Sequence, residues 1–158
     1  MSVKPIFLYP REKYINNERI GSESFFIPYV YFYLESSAGK KWFTKEDVPL
    51  NHLNLSTLIL GEPDKYNKPS IYNLFCVYNH LSKIDLENSK PILLDWKNSI
   101  IDGHFRILKA LIEQKETIKV YRIKEGFDMD NEFLNWYHYQ MSNLSNIEKF
   151  YDNNGILK

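Results

Sequence analysis

The sequence predicts an α+β domain. Two apolar runs of strand length, at 91–96 and 99–102, are followed by a stretch of helical spacing and then by the strand-like "TIKVYRI". A second helical stretch, at 70–81, precedes them. An aromatic run near the N-terminus, "FFIPYVYFYLE", adds extended character to the β component.

In that aromatic run a period of two puts Tyr29, Tyr31 and Tyr33 on one face of a strand and Val30, Phe32 and Leu34 on the other. "SSAGKK" then reads as a turn and "KWFT" as the returning strand, which predicts an N-terminal aromatic β-hairpin within residues 1–46. From "VPLNHLNLSTLI" the chain passes to "NKPSIYNLFCVYNHL". There Pro69 suits a first helical turn, and Ile71, Leu74, Phe75, Tyr78 and Leu81 recur at helical spacing. "KPILLDW" and "SIID" predict two short strands around the turn "KNS". Gly103 then opens a helix with Ile107, Leu108, Leu111 and Ile112 on one stripe, and "TIKVYRI" completes a strand, helix, strand unit. Beyond 124 the polar caps at Asp130 or Asn131, and at Ser142 or Asn143, predict two short helices. Residues 1–158 are expected to be a single domain, divided by pattern into the hairpin (1–46), a core (47–123) and a helical tail (124–158).

Twenty Lys and Arg balance twenty Asp and Glu, so no overall positive field draws the molecule to nucleic acid or to an anionic membrane. The single cysteine, Cys76, forms no internal disulfide and reads as a buried reduced thiol, which predicts a reducing, cytoplasmic setting. The longest apolar run, from Phe25 to Leu34, is half a membrane span and contains Pro28, so no membrane partner is expected. His52, His80, His138 and Cys76 share no metal-ligand spacing. Asp95 reads as a turn starter, and Lys119 and Arg122 read as surface charges on the last strand.

The chemistry concentrates in "IIDGHFR", where a strand turns into a helix. A helix N-terminus exposes unpaired N–H groups and the positive end of the macrodipole, and therefore attracts phosphate. Gly103 permits close approach of the backbone, and Arg106, one turn in, has the fork that grips two phosphate oxygens. Asp102 holds Mg²⁺, takes a proton from a hydroxyl, or caps the helix. His104 projects from the same turn and is an acid, base or donor near neutral pH.

"PILLDWKNSIIDGHFRILKALIEQKETIKVYRI", with the preceding "VPLNHLNLSTLI", resembles the core of the ParB and sulfiredoxin superfamily, in which a strand pair leads through a Gly-x-x-Arg box into a helix and then a strand. The likeness covers about residues 47–123. It implies a small mixed sheet with packed helices and a nucleoside triphosphate bound at the box, with Gly103, His104, Phe105 and Arg106 against the phosphates. His104 stands where sulfiredoxin has its cysteine and where partition proteins have an acidic residue. The Asp-Gly-His-x-Arg form is similar instead to the branch that includes free serine kinases, which implies Asp102 near the phosphoryl acceptor or Mg²⁺, and a further catalytic glutamate for which Glu62 is the nearest residue.

The function expected on this basis is that of a nucleotide-binding, Mg²⁺-dependent phosphotransferase or hydrolase using ATP or another triphosphate. The alternatives are a non-enzymatic protein- or DNA-binding factor of a phage or mobile element, working through its aromatic hairpin, and a ParB-like nuclease. A nuclease needs a basic track and a metal cluster.

Overall fold

The computed structural model describes residues 7–15, 18–55, 71–127 and 130–142. Glu62, Pro69 and the second tail helix expected beyond Ser142 lie outside the described residues. The order is β1 (Phe7–Ile15), β2 (Glu18–Phe26), α1 (Ile27–Leu34), β3 (Phe43–Pro49), α2 (Ile71–Ser82), β4 (Ile92–Leu94), β5 (Ile100–Asp102), α3 (His104–Ile112), β6 (Thr117–Ile123) and α4 (Asn131–Met141). β1 and β2 form an antiparallel hairpin. The other four strands form a mixed sheet in the order β3-β6-β4-β5, parallel only between β4 and β6. The class is α+β.

α1 is a correction. Tyr29, Tyr31 and Tyr33 lie on a helix, and the N-terminal hairpin is built instead from the strands Phe7–Ile15 and Glu18–Phe26. The run is apolar on every side, so a strand's alternation and a buried helix read alike over this length. Pro28 sits in the first turn, where its missing N–H has no intrahelical acceptor to lose. Tyr29, Val30, Tyr31, Tyr33 and Leu34 are all buried, so the tyrosines offer no stacking face to a base or a protein partner. "KWFT" does not return along α1 either, because Phe43 begins β3 and pairs with Ile123 of β6.

The sheet separates two apolar clusters, as the alternation of its side chains requires. Ile92 and Leu94 of β4, with Ile118 and Val120 of β6, meet Ile107 and Ala110 of α3. Leu93, Tyr121 and Ile123 face the aromatic cluster of α1 and α4, in which Phe133 lies 5.1 Å from Tyr33 and 4.5 Å from Phe127 between ring centroids. The stripe predicted on α3 is turned: Ile107 and Ala110 are the buried pair, while Leu111 and Ile112 are exposed.

Asp130 fixes α4 to α1. Its Oδ2 accepts from the Phe133 amide as the N-cap (3.4 Å), from Trp42 Nε1 (3.1 Å) and from Tyr33 Oη (3.2 Å). Burial, with Asp130 and Glu132 beside it, pushes the Tyr33 hydroxyl above the ordinary tyrosine value. Asp130→Ala removes a cap and strands two donors, and is expected to lower the unfolding free energy by about 2–3 kcal/mol in urea titration. Asp130→Asn keeps one oxygen acceptor and is expected to lose about half as much.

Candidate functional site

The site begins where β5 ends. Ile101 is buried under the sheet, so the alternation of the strand puts Asp102 on the opposite face. Gly103 then turns the chain with φ 110° and ψ 22°. A Cβ there would lie 2.4 Å from Ile92 Cγ2 and 3.2 Å from Arg106 Nη2, so the glycine is required both by its backbone angle and by the closeness of β4. Its carbonyl accepts from the Ile107 amide at 2.9 Å, which starts α3. No side chain caps this helix, and the amides of His104, Phe105 and Arg106 have no protein acceptor among the described residues.

The Arg106 side chain turns back beneath the glycine. Nη2 donates to Asp102 Oδ2 at 2.7 Å and to Tyr31 Oη at 3.0 Å, and Nη1 donates to the Lys90 carbonyl at 2.5 Å, with the Pro91 carbonyl at 3.4 Å. Tyr31 Oη also lies 2.5 Å from the Pro91 carbonyl and 3.2 Å from Asp102 Oδ2. The pair is well enclosed, with 11% of the Arg106 side chain and 17% of the Asp102 side chain exposed. Burial opposes the guanidinium charge, but Tyr31 and Asp102 outweigh it and hold Arg106 above its ordinary pKa. Burial likewise raises the Tyr31 hydroxyl well above the usual value, against the pull of Arg106. Arg106 therefore ties together α3, the end of β5, the entry to β4 and α1.

Asp102 is consequently not a helix cap. Among the described residues both of its side-chain hydrogen bonds enter Oδ2, and Oδ1 accepts none. His104, next along, is half-buried; burial lowers its pKa, with Asp102 opposing and Arg106 adding to the effect. The imidazole is therefore neutral near pH 7, with one nitrogen to donate and one to accept. Phe105 turns toward α2 and meets the His80 ring at 4.5 Å. The structure thus brings Asp102, Gly103, His104 and Arg106 together within one turn.

Tyr31 is the member of the site that sequence reasoning placed elsewhere, because its partner Arg106 is 75 residues away. Asp95 is the turn starter expected, its Oδ1 accepting from the amides of Lys97 and Ser99 at 2.8 Å each. Arg122 does more than decorate β6: its Nε donates to Glu46 Oε2 at 2.7 Å and lowers that carboxyl's pKa, and its Nη1 bonds Asn98.

A cleft of about 170 Å³ opens on the other side of Arg106, lined by Lys90, Ala110, Lys115, Thr117 and Lys119 among others. Its lining includes neither Asp102 nor His104. The volume is below the roughly 300–1,000 Å³ of ordinary small-molecule pockets. Among the described residues no group of three His, Cys, Asp or Glu side chains is placed to hold a metal ion, and no helix is long and apolar enough to cross a membrane.

The chain matches no protein-family model, no curated protein and no solved structure.

Proposed function

We propose that the start of α3 binds the polyphosphate of a nucleoside triphosphate with Mg²⁺, as the resemblance to the ParB and sulfiredoxin superfamily implies, and that the protein is a phosphotransferase or hydrolase. The observation that supports this reading is the state of Asp102: Arg106 and Tyr31 hold it by one oxygen, while the other stands unbonded beside an uncapped helix N-terminus. Free first-turn amides attract an anion, and a lone carboxylate suits Mg²⁺, which takes one or two protein carboxylates and completes its shell with water and phosphate. When bound there, Mg²⁺ neutralises phosphate charge. The amides of His104, Phe105 and Arg106 hold phosphate oxygens, neutral His104 donates to one of them or moves a proton, and Asp102 orients the metal or an attacking hydroxyl. In this reading Arg106 is a positioning residue. It aims the carboxylate rather than gripping phosphate itself.

A second reading has an observation of its own. Arg106 finds four protein acceptors, so the box also makes sense as a clamp for the fold in a non-enzymatic protein- or DNA-binding factor. Calorimetric titration with ATP, CTP, GTP and ADP, each with Mg²⁺, separates the two. The nucleotide reading expects at least one to bind, and expects His104→Ala and Asp102→Asn each to weaken it tenfold or more, with the Asp102→Asn loss confined to titrations containing Mg²⁺. No binding by the folded native protein leaves only the clamp.

A further inference from the structure

The helix α2 carries no charged residue along "IYNLFCVYNHLS". It docks on the domain through Leu81, which is buried, and through half-buried Cys76, Val77 and His80, the last against Phe105 of α3. Its more apolar stripe points the other way: Ile71 is 89% exposed, Leu74 64%, Phe75 61% and Tyr78 72%. Four large side chains exposed to this degree present roughly 500–600 Å² of contiguous apolar surface, at the upper end of the largest patch found on monomers. Exposed Asn79 and Ser82 border it with polar groups, as the rim of an interface does.

We infer that this face is the contact between two copies of the chain, related by a two-fold axis that passes between Leu74 and Phe75. The spacing 71, 74, 75, 78 reads the same in both directions about its midpoint. An antiparallel pairing of two α2 helices therefore sets Ile71 against Tyr78 of the partner subunit and leaves Leu74 and Phe75 at the dyad, which is the self-complementarity a two-fold contact requires. The stripe offers no charge for an oppositely charged partner to meet, and a second uncharged stripe leaves no charge desolvated. With its rim, the face comes close to the roughly 800 Å² per partner of a standard interface.

Light scattering on the eluting full chain is expected to give twice the 18.9 kDa chain mass, falling toward one chain on dilution. Leu74→Glu and Tyr78→Glu are each expected to raise the dimer dissociation constant a hundredfold or more, with the far-ultraviolet circular dichroism unchanged. Should a glutamate variant fail to fold, Tyr78→Ser serves as the milder truncation. In a Cys76→Ser background, Phe75→Cys is expected to crosslink to itself under mild oxidation. Ile71→Cys is expected to crosslink with Tyr78→Cys but not with itself. A single-chain mass at every concentration overturns the inference, as does a dimer indifferent to the substitutions on α2 or a crosslink pattern without this register.

Discussion

Replacing Arg106 with alanine is expected to lower the unfolding free energy by about 3–5 kcal/mol, the loss typical of removing one partner from an enclosed ion pair. At roughly 2–4 °C per kcal/mol for a chain of this size, the melting temperature is expected to fall by about 6–20 °C in calorimetry. The reason lies in what the guanidinium leaves behind. The Asp102 carboxylate stays largely enclosed without its counter-charge, and the Tyr31 hydroxyl and the Lys90 carbonyl each lose a donor. Arg106→Lys is expected to recover less than half of the loss, since one ammonium cannot serve Asp102 and the Lys90 carbonyl in the same fork geometry. Removing both charges, with Arg106→Leu and Asp102→Leu together, is expected to cost less than the sum of the single changes, because neither charge is then stranded. Additive single and double losses would show that the two side chains are not coupled.

Gly103→Ala is expected to be nearly as damaging. A residue with a Cβ at φ 110° carries about 1–3 kcal/mol of backbone strain, and a methyl 2.4 Å from Ile92 Cγ2 adds overpacking of about 1–3 kcal/mol. The combined loss, about 2–6 kcal/mol, is read from urea unfolding. Adding Ile92→Ala relieves the nearest contact but leaves the Ile92 Cβ, which stands 2.8 Å from the new methyl. The double variant is therefore expected to show partial compensation, on the order of 1 kcal/mol. A freely tolerated Gly103→Ala would mean that the left-handed turn and the close approach of β4 are not what holds the junction.

The part of the fold built from local signals was legible. β4, β5, α3 and β6 each follow from a short apolar run or a helical stripe bounded by turn residues, and of the two caps expected, Asp130 or Asn131, the structure uses Asp130. The run Ile27–Leu34 was not legible as a helix, because a run apolar on every side loses the periodicity that tells helix from strand. The stripe on α2 was legible as a stripe but not in its direction. Spacing groups Ile71, Leu74, Phe75, Tyr78 and Leu81, but of these only Leu81 is buried, and the helix meets α3 through the His80 ring against Phe105. At the junction, the sequence alone places Asp102, Gly103, His104 and Arg106 where a strand turns into a helix, and the structure has that turn. The direction of the guanidinium does not follow from sequence, because Tyr31 and the Lys90 carbonyl come from elements 75 and 16 residues away.

We propose above that the first-turn amides of α3, with Asp102 aimed by Arg106, receive the phosphates of a nucleotide. Backbone amide NMR during titration with Mg²⁺ and each nucleoside triphosphate tests it at the atoms concerned. The His104, Phe105 and Arg106 amides are expected to shift together and to saturate with the affinity measured by calorimetry, and Asp102→Asn is expected to abolish the Mg²⁺-dependent part. Amides that stay unmoved at 104–106 while others respond, or that stay unmoved throughout, would contradict it.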